Sequence, residues 1–231
     1  MLPAMTEDAA KLKTKVRRIV AALEKRLGVP KVRRGGDLIG SFVLTMLSQH
    51  TSDVNAARAF EVLKSKFPKW EDVAGARPGA IARAIRSAGL ANQKSGRIRD
   101  FVRWAKATFG GYDLSPLKKM PADEITKLLT SVNGIGIKTV SVVMLFSLGR
   151  DVFPVDTHVH RICRRLGLVP DNVTAERTHY LMAPLIAKGK SMSLHVNFLR
   201  LGRTICHARE PLCAECPLRK LCGYAAERND E

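Results

Sequence analysis

Three features of this chain have residue types and spacing that could do chemistry. The first is the segment CHAREPLCAECPLRKLC, which carries Cys206, Cys213, Cys216 and Cys222 in the pattern C-x6-C-x2-C-x5-C. In a reducing compartment four clustered cysteines read as metal ligands rather than as a disulfide framework. One C-x2-C pair suits zinc, and His207 is an alternative ligand. The longer gaps fit a zinc ribbon or finger poorly but do not exclude one. The fifth cysteine, Cys163 in VHRICRRL, reads as a small buried hydrophobe.

The second feature is VNGIGIKTV, which follows one expected helix and opens another. Gly134 and Gly136 permit a tight turn and close backbone approach. The free N–H groups at the following helix start can hold a phosphate. A helix–hairpin–helix uses this arrangement to grip one DNA strand without reading sequence. A plain turn between helices would also explain the glycines.

The third feature is Lys138 with Asp156. A lysine at the positive end of a helix dipole is unusual. It serves either as a phosphate contact or as a nucleophilic amine, since the dipole disfavours the ammonium. The helix from Ile137 runs about 18 Å away from it. The eight residues from Gly149 to Asp156, if extended, reach about 26 Å. The chain can therefore bring Asp156 back to Lys138. Asp156 also suits the N-cap of the helix THVHRICRRL, and both roles can hold at once. A carboxylate facing the lysine would oppose the dipole.

The elements that must position these groups read as helices throughout, so the fold class is all-α. Leu12, Val16, Ile19, Val20, Leu23 and Leu27 make one buried stripe, which Gly28 and Pro30 end. A second helix runs through LIGSFVLTML, and a third follows a cap at Ser52 or Asp53. Further helices fit PGAIARAIRSAG, QKSGRIRDFVRWAKATF, ADEITKLLTSV, IKTVSVVMLFSLG, DTHVHRICRRLGL, TAERTHYLMAPLIAKG and SLHVNFLRLGRTI. That is about ten helices on short connections. No stretch alternates as a strand, and there is no internal repeat.

The totals narrow the partners. The chain has 231 residues, 45% of them apolar, which is enough for one large domain or two small ones. Its net charge of +18 is spread along the sequence and points to a polyanion such as DNA or RNA. No apolar run is long enough to span a membrane, and MLPAMTEDAAKLKTKVRR lacks the apolar centre of a signal peptide. An intracellular protein is expected.

GIGIKTV, PVDTHVHR and the four-cysteine segment, with LSQHTSDV, AGLANQK and HVNFLRLGRTIC, resemble the endonuclease III branch of the helix–hairpin–helix DNA glycosylase superfamily over about residues 30 to 222. The resemblance implies two helical domains flanking a DNA groove. One is a six-helix domain with the hairpin at residues 31–150. The other, from residues 1–30 and 151–231, carries a 4Fe-4S cluster on Cys206, Cys213, Cys216 and Cys222. It implies a monomer acting on double-stranded DNA with a damaged base or abasic site, in the cytoplasm of a prokaryote or the nucleus of a eukaryote. Lys138 would be the nucleophile, assisted by Asp156, in a bifunctional glycosylase and AP lyase. Gly134 and Gly136 would meet the DNA backbone. His50, where endonuclease III carries glutamine, and Leu90 would fill the space left by a flipped base. His158 and Arg203 would lie near phosphates. Asn133 departs from the usual hairpin proline, and with His50 it bears on substrate range. Oxidised pyrimidines such as thymine glycol come first. Mismatched thymine or uracil and modified cytosine are an alternative within the enzymes. A non-catalytic DNA-binding protein is the alternative outside them.

Overall fold

A computed structural model describes residues 7–31 and 36–227. The first six residues of the N-terminal stretch read above lie outside the described residues. The described elements are all helical, twelve α-helices and five short 3-10 turns, with no strand among them. None is long and apolar enough to cross a membrane. They fall into two compact units, one drawn from Met1–Arg33 with Asp151–Glu231 and one from Arg34–Arg150.

The central unit is built on α2 (Leu38–Leu47), which buries Leu38, Ile39, Phe42, Val43, Met46 and Leu47. A helix apolar on most of its surface must be surrounded. Here α3 (Asp53–Lys66), α6 (Ala91–Phe109) and α8 (Ile137–Phe146) pack on it. The Phe42 and Phe101 rings meet with centroids 5.1 Å apart. Ser52 is the residue that caps α3, accepting from the Asn55 N–H at 3.2 Å. α4 (Trp70–Gly75), α5 (Pro78–Ala84) and α7 (Ala122–Thr130) complete the unit.

The other unit packs α1 (Glu7–Leu27) against α11 (Ser191–Thr204), and α11 against α9 (Thr157–Arg165), with α10 (Ala175–Met182) beside α9. Its core joins Ile19 and Leu23 to Phe153, Val159, Cys163, Leu194 and Phe198. Cys163 is fully buried, and burial pushes its thiol up, as expected of a core hydrophobe. Asn197 donates to the Gly28 carbonyl at 3.0 Å, tying the end of α1 to α11. α12 (Gly223–Glu227) follows the cysteine segment.

Two expected helices are shorter than their apolar spacing suggests. PGAIARAIRSAG tightens into a 3-10 turn at Arg86–Ala88. TAERTHYLMAPLIAKG does so at Ala183–Leu185, where Pro184 has no N–H to continue the α ladder. The short helices α4 and α12 carry too few apolar positions to show a period.

Candidate functional site

The hairpin lies in the central unit, between α7 and α8. Gly134 has φ +87°, and a Cβ there would stand 2.6 Å from the Arg97 Cδ, so only glycine fits. Ile135 is buried and anchors the turn, its N–H bonded to the Val132 carbonyl at 3.0 Å. Gly136 is the N-cap of α8 in extended conformation and offers no capping side chain. The first intrahelical bond runs from Val140 to the Gly136 carbonyl at 3.2 Å. The amides of Ile137, Lys138 and Thr139 thus precede the hydrogen-bonded ladder, which is the anion-accepting end of a helix.

Lys138 is the second residue of α8 and is exposed. Its ammonium makes no hydrogen bond or ion pair among the described residues. Its neighbour Thr139 is buried and accepts from Gln49 Nε2 at 3.3 Å. That bond joins the start of α8 to the end of α2, where His50 follows. His50 and Leu90 are exposed and both hold left-handed backbone, with φ 55° and 47°. The central unit therefore collects Gly134, Gly136, Lys138 and the His50 turn around α2 and α8, with Leu90 leading into α6.

Asp156 is in the other unit, where it caps α9. Its Oδ1 accepts from the Val159 N–H at 2.8 Å, the structural role its sequence allows. Oδ2 takes no hydrogen bond among the described residues. His158 is half-buried, and its ring lies over Gly202, where a Cβ would come within 2.9 Å. The Arg161 guanidinium lies within hydrogen-bond distance of His158 Nδ1, at 3.1 Å. This contact packs His158 between α9 and α11. Arg203 is exposed in the last turn of α11.

The four cysteines of the C-terminal segment line one apolar pocket with Leu212 and Tyr224. None forms a disulfide. Burial raises the thiols of Cys216 and Cys222. The backbone N–H groups of Leu218 and Ala225 oppose this, and the neighbouring cysteines add to the rise. Four thiolates cannot crowd one apolar pocket without a compensating positive group. Among the described residues no group of three or more His, Cys, Asp or Glu side chains is arranged to hold a metal ion. His207 is not part of the pocket lining. Four cysteines lining one apolar pocket are a donor set of the kind that iron–sulfur ligation accepts. Two arginines of α9 hold the segment. Arg161 donates to the Cys206 carbonyl at 2.7 Å, and Arg165 to the His207 carbonyl at 2.6 Å and to Cys206 Sγ at 3.2 Å. Arg165 also stacks on Tyr224, 4.4 Å from the ring centroid.

Sequence reasoning missed Lys94, Arg97 and Gln49. Arg97 lays its aliphatic stem over the hairpin glycine. Lys94 is buried and donates three hydrogen bonds to backbone carbonyls. Only the position of Lys94 in an otherwise apolar face of α6 hinted at burial.

The family described as HhH-GPD superfamily base excision DNA repair protein matches residues 43–188. The Endonuclease III of Thermotoga maritima is 30% identical over 86% of this chain and 89% of its own length. A protein of Arabidopsis thaliana named "Putative DNA glycosylase" is 38% identical over 62% of this chain, and the match spans only 48% of that relative. Among solved structures, a non-covalent Endonuclease III–DNA complex superposes with a TM-score of 0.80 at 24% identity, over 95% of this chain and 99% of the other. At that identity the likeness shows the fold.

Proposed function

This chain belongs to the HhH-GPD superfamily of base excision DNA repair proteins, in its endonuclease III branch, and from that premise we propose that it is a bifunctional DNA glycosylase and AP lyase acting on oxidised pyrimidines, thymine glycol first, in double-stranded DNA. The observation that carries the reading is Lys138: an exposed amine without a protein partner among the described residues, directly after a hairpin whose helix-start amides are open to a phosphate. A lysine there serves nucleophilic chemistry that simple binding does not require.

The hairpin amides hold a backbone phosphate while the damaged nucleotide turns out of the stack. Lys138 Nζ, as the free amine, attacks the sugar C1′. The N-glycosidic bond breaks, its electron pair leaves with the base, and the base takes up a proton. The nitrogen loses a proton as the sugar ring opens, giving a Schiff base between Lys138 and C1′. Removal of a C2′ proton then expels the 3′ phosphate by β-elimination, and water releases the lysine. Asp156, with one carboxylate oxygen outside the cap, stabilises the positive charge that develops on the sugar. His50 and Leu90 occupy the gap left in the duplex, and Arg203 contacts a phosphate. Cys206, Cys213, Cys216 and Cys222 would hold a 4Fe-4S cluster. When bound, the cluster supplies a fixed cross-link that pins the basic loop bearing Arg209, Arg219 and Lys220.

Borohydride trapping tests this. The protein and Lys138→Gln are incubated with duplexes holding thymine glycol, an abasic site, a G·T or G·U mismatch, or no damage. The expected result is a covalent band on thymine glycol that the variant lacks. A band on the mismatches alone transfers the chemistry to the mismatch reading. No band on any duplex, from protein with its four-cysteine site loaded, overturns the lyase assignment. Loaded protein should be yellow-brown, and colourless zinc-containing protein would refute the cluster.

A further inference from the structure

Lys94 is the one lysine of α6 that is buried, at 3% exposure, in a chain otherwise short of buried charge. Its ammonium has three donors, and each meets a backbone carbonyl: Leu47 at 2.7 Å, Gln49 at 2.6 Å and Ala88 at 2.8 Å. No carboxylate bonds it among the described residues. A buried charge held by neutral groups alone is a costly way to stabilise a fold. The identity of the three acceptors gives it a purpose. Leu47 and Gln49 are at the C-terminal end of α2, and the Gln49 carbonyl belongs to the peptide that leads into His50. Ala88 ends the 3-10 turn two residues before Leu90. His50 and Leu90 are both exposed with backbone in the left-handed region, and they are the two such non-glycine residues described in the central unit, Glu210 of the cysteine segment being the third in the described chain. Such strain persists only where the surroundings over-determine it. One nitrogen atom therefore ties together the two turns that present those side chains, and their carbonyls stand no farther apart than two hydrogen bonds allow.

We propose that Lys94 is a positioning residue that clamps the His50 and Leu90 turns to one another, so that the two side chains enter the duplex as a single rigid wedge when the damaged nucleotide is extruded. The inference rests on the base-flipping reading above. It assigns to a buried cation the efficiency of extrusion rather than of bond cleavage.

The test compares the parent with Lys94→Met, which keeps the chain length and removes the donors. Two duplexes are used: thymine glycol paired with adenine, where a base must be extruded, and a preformed abasic site, which has none. Excision of the paired lesion should fall by about 100-fold, the scale of an ångström-level misplacement, while borohydride capture at the abasic site stays near the parent's. Equal loss on both duplexes, or no loss on the paired lesion, overturns the clamp. Lys94→Arg is read beside it, because a planar guanidinium cannot aim three donors from one nitrogen. It must show the same split, and it decides the matter if Lys94→Met does not fold. If the parent excises none of the lesions tested, the glycosylase reading itself fails, and hydrogen exchange then decides the clamp. Faster exchange at the His50, Thr51 and Leu90 amides, with the interiors of α2 and α6 unchanged, supports it, and unchanged exchange at those amides refutes it.

Discussion

Asp156 offers a clean separation of folding from chemistry. Its carboxylate accepts the Val159 N–H at 2.8 Å and so closes the first turn of α9. Asparagine caps a helix about as well as aspartate, and alanine does not. Asp156→Ala should therefore cost about 1 kcal/mol of stability, which for a chain of this size lowers the melting temperature of the unit holding α9 by about 2–4 °C. Asp156→Asn should melt within about a degree of the parent, since the cap bond survives. The catalytic proposal predicts a different order. Both variants lose the negative charge that would stabilise the developing positive sugar, and both should lose about 100-fold to 1000-fold in single-turnover cleavage, the range seen when one preorganised electrostatic group is removed. Affinity for undamaged duplex should hold or rise in Asp156→Asn, because one negative charge facing phosphates is gone. The assays are thermal unfolding, duplex binding and single-turnover trapping on the same three preparations. Parent-like cleavage by Asp156→Asn would reduce Asp156 to a cap and refute its catalytic role. Parent-like melting by Asp156→Ala would refute the capping argument.

The hairpin glycines should separate in the same manner. Gly134→Ala meets both a positive φ and the Arg97 stem 2.6 Å away, so it should lose about 1–3 kcal/mol of stability along with DNA affinity. Gly136→Ala has no heavy atom within 4 Å of its new methyl and an ordinary φ of −93°, so it should melt like the parent yet bind duplex more weakly, because the methyl occupies the approach to the helix-start amides. Unchanged binding by Gly136→Ala would remove the hairpin from the interface. For pH, burial pulls His160 below its ordinary value, aided by Arg164. Burial likewise pulls His179 down, against a hydrogen bond to the Phe153 carbonyl at 2.8 Å. Both folded values lie under the unfolded one, so the unfolded chain binds more protons as pH drops past about 6.5. Stability that is full above that pH should fall below it, and thermal melts of His160→Gln and His179→Gln between pH 8 and pH 5 should show a flatter profile than the parent.

What could be read from the sequence was what is local. The cap at Asp156, the turn at Gly134 and the stripe of α1 each depend on residues within a few positions, where type and spacing determine geometry. The cysteine pattern was legible because all four cysteines lie in one segment. The helix breaks after Ala84 and Met182 were not, since apolar spacing does not distinguish an α turn from a 3-10 turn. Lys94, Arg97 and Gln49 were illegible for a different reason. Their meaning comes from partners 6 to 90 positions away: the carbonyls of Leu47, Gln49 and Ala88, the hydroxyl of Thr139 and the bare Cα of Gly134.

Structural and functional readings of a residue are usually weighed as rivals, and under the proposed mechanism they coincide in this chain. Asp156 is a helix cap through Oδ1, and its second carboxylate oxygen lies outside that bond, which is where the proposal puts its chemistry. Gln49 ties α2 to the start of α8, and its own carbonyl is one of the three that Lys94 holds. The cost of burying Lys94 would be wasted if the only requirement were a stable central unit, because an apolar side chain at that place would leave the carbonyls to water or to a small backbone shift. It is well placed if two strained, exposed turns must keep their spacing while they push into a base stack. The rigidity proposed for this protein is thus located at one nitrogen atom, and the paired-lesion to abasic-site ratio of Lys94→Met measures it directly.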